Sequence, residues 1–94
     1  MNTQAFEDSL TAEKYGEIVI VSKDVGYKMD EHQHEFDACA LVTAGQIDIS
    51  VDGIKTEYKV GDVFRLAAGT VHLEDASRYG VSYLVGRRHS GNNA

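Results

Sequence analysis

The chain has no proline, no tryptophan, one cysteine and no long apolar run. Each shortage excludes something. Without proline, tight turns must be shaped by other residues, and nine glycines are available for the task. With Cys39 alone, no disulfide can form within the chain, and a cytoplasmic location is the natural expectation. No segment approaches the ~18 apolar residues of a membrane-spanning helix. The opening MNTQAFEDSLTAEKYGE carries acids and lacks an apolar centre, so it does not read as a signal peptide. Positive charge is scarce as well: nine Lys and Arg stand against fifteen Asp and Glu, a net charge of −6. An acidic surface repels phosphate backbones, which argues against nucleic acid as a partner. The pair Arg87–Arg88 is too small to reverse that balance.

What is present reads as one small all-β domain over residues 1–94. Residues 3–14 form an expected short amphipathic helix, with Thr3 as its cap and Phe6 and Leu10 one turn apart on one face. Residues 1–16 therefore make a helix and arm, 17–86 a barrel, and 87–94 a polar tail. Ile18 to Val21 is a continuous β-branched run. From Gln46 to Asp52, Ile47, Ile49 and Val51 alternate with Asp48, Ser50 and Asp52, the period of a half-buried strand. Asp52-Gly53 is a hairpin signal, because the two central residues of a two-residue turn need positive φ. Further strands are expected at 54–60, 63–67, 71–75 and 78–86, the last with Val81, Tyr83 and Val85 on one face. Closely spaced strands without intervening helices imply an antiparallel barrel or sandwich, not a parallel α/β sheet.

The chemistry concentrates in histidine. His32 and His34 are separated by one residue, so on an extended segment they share a face about 7 Å apart. His72 follows a turn and opens a later strand. If that strand faces the same interior, three imidazoles converge on one point and leave positions open for water or a ligand. The alternative is that the His-x-His pair is simply polar surface. His89, in the tail, reads as solvated, and Cys39 as a small apolar filler.

Spacing extends this pattern into two motifs. Gly26 is followed by five residues, His32, Gln33, His34, three residues, Ala38, six residues and Gly45. Gly61 is followed by five residues, Ala67, Ala68, Gly69, two residues, His72, three residues and Ala76. This arrangement resembles the paired motifs of the cupin family, in particular its small single-domain bacterial members. The glycines and histidines fall in register. Ala67 stands where the motif has proline, Ala76 where it has asparagine, and Ala38 where it has the glutamate that usually supplies a fourth metal ligand.

The resemblance implies a small antiparallel β-barrel of the jelly-roll type with a short N-terminal helix. It also implies one divalent metal ion (Fe, Mn, Ni or Zn) on His32, His34 and His72, and a homodimer. Strand parity places Phe36, Ala38 and Ala40 on the side of His34, with Asp37 and Cys39 facing away. Glu74 shares parity with His72 and is the candidate for an additional ligand; otherwise it is a solvated acid at the barrel mouth. Tyr83 either lines the pocket as a hydrogen-bond donor or packs in the core. No residue stands out as a general base, so the catalytic residues stay unassigned. Two functions follow from the resemblance: a metal-dependent, oxygenase-type or related enzyme acting on a small molecule, or a non-catalytic module that binds or senses one.

Overall fold

The computed structural model describes residues 2–89. One helix, α1 (Thr3–Ala12), precedes seven strands: β1 (Glu17–Lys23), β2 (Tyr27–His32), β3 (Asp37–Val51), β4 (Ile54–Lys59), β5 (Val63–Leu66), β6 (His72–Ala76) and β7 (Val81–Arg88). All their pairings are antiparallel. The expected all-β class holds, as a curled half-barrel with one short helix.

The helix begins one residue earlier in its capping than expected. Asn2, not Thr3, is the N-cap: its backbone is extended, and its Oδ1 accepts from the Ala5 amide at 2.7 Å. Thr3 is already helical. The helix also stops short of 14, because Lys14 takes a left-handed φ of 66° and turns the chain back, so that the Tyr15 amide donates to Leu10 O. Phe6 and Leu10 are buried as expected, against Tyr15, Cys39 and Leu41. The Leu10 methyl groups lie over Gly86, the nearer 2.8 Å from where a Cβ would stand, so a side chain there would force Leu10 to shift.

β3 organises the barrel. It is one strand of 15 residues, not the short strand from 46 that alternation suggested. Its first half pairs with β5 and β7, with β1 beyond β7. Its second half pairs with β4 and β6, with β2 beyond β6. A register irregularity between Val42 and Ala44 marks the passage from one half to the other. Where the chain turns at Asp52-Gly53, both residues have positive φ, 52° and 79°, as the hairpin signal required. Between the halves lies a core of Ala38, Ala40, Val42, Ile47, Ile49, Phe64, Leu66, Ala76, Val81 and Val85. Cys39 faces the helix instead and is fully buried; burial raises its thiol pKa and keeps it an apolar filler.

β7 runs two residues further than the expected strand, so Arg87 and Arg88 belong to the sheet and not to a polar tail. Residues 90–94 of that expected tail lie outside the described residues. Arg88 ties the barrel to the end of the helix. Its Nη2 donates to Asp37 Oδ2 at 3.0 Å, and its Nη1 donates to Glu13 O at 2.7 Å. The Ala68 amide, and then Arg88, hold the Asp37 carboxyl below its ordinary value of 3.8. A carboxyl lowered on folding contributes stability above pH 3.8, and that contribution disappears as the pH falls through the lower folded value. Asp37→Asn should therefore lower Tm at pH 7, with the gap to the wild type closing below about pH 4. A gap that does not change with pH would remove Asp37 from the latch.

Candidate metal centre

His32 and His72 face each other across the β2–β6 pair. Strict alternation would not put them there. Tyr27 and Met29 of β2 line the interior cavity, so period two would send residue 31 inward and residue 32 out. The pairing shifts between Met29 and His32, and this irregularity turns His32 inward, opposite His72. His34 lies just past the end of β2, where its carbonyl accepts from the Gly69 amide at 2.9 Å. The turn before β6 is thereby tied to the segment carrying His34. The three rings meet with centroids 5.1, 4.2 and 5.5 Å apart. The expected trio is brought together.

Glu74 completes the group. It is not a solvated acid: its side chain is only 10% exposed, and its Oε2 lies 3.1 Å from His32 Nε2 and 3.0 Å from His72 Nε2. One ligand atom from each of His32, His34, His72 and Glu74 falls within 4.8 Å of the others. A carboxylate thus stands beside the three imidazoles from β6, while Ala38, where the motif has one, contributes only a methyl group to the cavity wall.

The hydrogen bonds define which electron pairs are free. His32 Nδ1 lies 2.8 Å from Asp30 O, and His72 Nδ1 lies 3.0 Å from Thr70 O. A carbonyl only accepts, so both Nδ1 atoms carry the proton. In the neutral rings each Nε2 then presents a lone pair. Those two lone pairs point at Glu74 Oε2, which also only accepts when ionised. Three acceptors on one point repel unless a cation lies among them, either protons or a metal ion. Tyr27 supports the same arrangement from outside. Its hydroxyl donates to Glu74 Oε1 at 2.9 Å, holding the carboxylate in place while Oε2 stays turned to the imidazoles. Burial, then the neighbouring His32 and His72, lower the His34 pKa below 6.5, so its ring is neutral at pH 7 and available as a ligand. Three imidazoles and one carboxylate suit a first-row divalent ion.

A cavity of about 190 Å³ opens on the cluster. His32, His34 and Glu74 face it, while His72 is buried behind them at 1% exposure. Phe36 and Ala38 line it, as parity indicated, and so does Tyr83, which also packs against the core. Ala40 does not: it is fully buried in the core, because the cavity extends along β3 only as far as Ala38. Burial, and then Glu74, raise the Tyr83 hydroxyl to about 12, so it is a neutral donor at pH 7. No acceptor for it exists among the described residues. His89 is exposed, but its ring lies 5.5 Å from that of Phe36.

Arg87 is among the lining residues that sequence reading missed, with Lys23, Tyr27 and Phe64. For Arg87 the signal was there: Val81, Tyr83 and Val85 share a face, and residue 87 continues that alternation.

Residues 18–75 match the model of the cupin domain family. No curated protein matches the chain. Among solved structures, a conserved protein of unknown function from Streptococcus pyogenes is 23% identical with a TM-score of 0.66, over 79% of this chain and 65% of that one. KdgF from a Halomonas species is 29% identical with a TM-score of 0.61, over 78% and 69%. The DMSP lyase DddQ from Ruegeria pomeroyi is 20% identical with a TM-score of 0.70, over 82% of this chain but 40% of that one. The chain thus spans about two thirds of the first two and well under half of the third.

Proposed function

The chain belongs to the cupin family, and from that premise we propose that it is a metal-dependent cupin that binds one divalent ion through His32, His34, His72 and Glu74 and takes a small molecule at the ion's open positions. The observation that carries this reading is the convergence of two imidazole Nε2 atoms on one carboxylate oxygen. Two imidazoles with Nδ1 committed to backbone carbonyls aim Nε2 at the same carboxylate oxygen. A divalent cation answers that arrangement directly.

When bound, such an ion supplies Lewis-acid polarisation of a coordinated ligand and, for iron or manganese, redox chemistry. The protein's own groups do the rest. Tyr27 orients Glu74. Phe36, Phe64, Leu66 and Val85 make an apolar wall that limits water. Tyr83 offers a proton donor to an oxygen of the ligand. The small volume favours a ligand of few carbons, since pockets for drug-sized molecules start at about 300 Å³.

A second reading, a non-catalytic binding module, has one specific support. Every carboxylate and imidazole in the cavity wall belongs to the candidate ligand set, so neither type remains as a separate general base. Chemistry here would have to come from the ion and its ligands.

The test is thermal. Metal-free protein titrated with Mn(II), Fe(II) under argon, Ni(II) or Zn(II) should gain stability with a one-to-one endpoint. At a hundredfold excess over Kd the gain is about 2.7 kcal/mol. If none of the four ions raises Tm, the metal reading fails.

A further inference from the structure

The cavity is cationic in an acidic protein. The chain carries a net charge of −6, yet the cavity wall holds Lys23 and Arg87 against a single carboxylate, Glu74. That carboxylate already accepts from Tyr27 and belongs to the candidate ligand set. Neither Lys23 nor Arg87 makes an ion pair among the described residues; Glu17, in register with Arg87 on β1, is exposed and stays out of ion-pair range. Arg65 and Arg88, by contrast, are each paired to an acid.

Arg87 is the better placed of the two. Its guanidinium lies over the Phe36 ring at 5.0 Å, and that ring stacks on His34 at 4.9 Å with only 19° between planes. Guanidinium, phenyl and imidazole thus form one row leading to the cluster. Arg87 Nε is buried and makes no hydrogen bond. An unpaired buried donor on a charged group is costly, and an acceptor brought to the guanidinium by a ligand is one way to offset that cost. On the neighbouring strand, Arg87 is in register with Ala38. Directly opposed residues lie within about 5.5 Å at Cβ, so a longer side chain at 38 could occupy the room in front of the guanidinium. The methyl of Ala38 leaves that room open.

We infer that this cavity binds a small carboxylate anion, held at its carboxylate by Arg87 and at a second oxygen by the metal centre. The second anchor rests on the metal reading given above. A guanidinium grips a carboxylate through two parallel N–H bonds, which sets orientation as well as charge. Tyr83, with its neutral and unpartnered hydroxyl, is a third contact. The ligand class is a 2-oxo, 2-hydroxy or short dicarboxylic acid. A divalent ion with one Glu74 charge keeps the site net positive, and a concave wall of low polarity concentrates that field.

Calorimetric titration separates this inference from the metal reading. The probes are pyruvate, lactate and malonate, with uncharged lactamide and malonamide as controls, on Zn(II)-loaded and metal-free protein. At least one acid should bind the loaded wild type and neither amide should. Arg87→Met keeps an apolar stem over Phe36; it should take up zinc as the wild type does but bind the acid at least about tenfold more weakly. Arg87→Lys should fall between them, because charge is kept and the fork is lost. Equal acid affinity in wild type and Arg87→Met overturns the inference while leaving the metal site standing. So does failure of all three acids, or tighter binding of inorganic phosphate than of any of them. If the wild type takes up none of zinc, nickel, manganese or iron(II), the metal reading fails on its own. Acid binding to the metal-free form that Arg87→Met abolishes then still supports the Arg87 anchor, and its absence overturns it.

Discussion

His34→Ala loses the metal and keeps the fold. The expectation comes from what the ring does in the folded chain. His34 is only half-buried, and neither of its ring nitrogens makes a hydrogen bond among the described residues. Its aromatic contacts are with Phe36, His32 and His72 at the cavity edge. Removing it opens an existing cavity further and strands no partner, so Tm of the metal-free protein should move by no more than a few degrees. Its effect on the ion is large. Loss of a residue that merely supports a ligand already costs 10- to 100-fold in affinity, and loss of a ligand should exceed about 100-fold. His72→Ala is the informative contrast. That ring is 1% exposed and bonded to Thr70 O, so its removal should lower metal affinity and metal-free stability together, by about 2 kcal/mol or more in the latter. Calorimetric metal titration and urea unfolding of both variants check the pair. Full metal affinity in His34→Ala would mean that the ion, if any, is held elsewhere.

Glu74→Gln should act with opposite signs on the two forms. In the wild type, Glu74 Oε1 accepts from Tyr27 while Oε2 meets two imidazole nitrogens whose protons sit on the far side of each ring. A glutamine has the same shape. Its oxygen can keep the Tyr27 bond, and its NH₂ can donate one hydrogen to each Nε2. The metal-free protein should therefore hold or gain stability at pH 7. The metal-bound protein should lose, because an anionic ligand has become a neutral one with its donor end toward the ion. The expected loss of affinity is again about 100-fold or more. Thermal melts with and without metal read both signs at once. If Glu74→Gln destabilises the metal-free protein by several degrees, the carboxylate there is held by a proton on at least one Nε2 and not faced by two bare lone pairs.

The legible and illegible parts of this site divide on one physical line. Spacing alone marked His32, His34 and His72, since ligands near turns are fixed by local chain geometry. Parity carried further: it placed Phe36 and Ala38 in the wall, left Tyr83 open between wall and core, and continued by one more step it would have reached Arg87. What sequence could not show depends on register between distant strands. The irregularity between Met29 and His32 is a property of the β2–β6 pairing, and it decides which of Glu31 and His32 points inward. The place of Glu74 depends on Tyr27, 47 residues away in the chain. Ala40 shows the limit of parity, which gives the side of a strand but not the depth of the cavity along it.

The most direct measurement is elemental analysis of untagged protein after anaerobic incubation with Fe(II) and desalting, with His34→Ala in parallel. A metal centre built from His32, His34, His72 and Glu74 predicts close to one equivalent of metal in the wild type and almost none in the variant. A wild type that emerges without metal, or a variant that retains as much as the wild type, would contradict it.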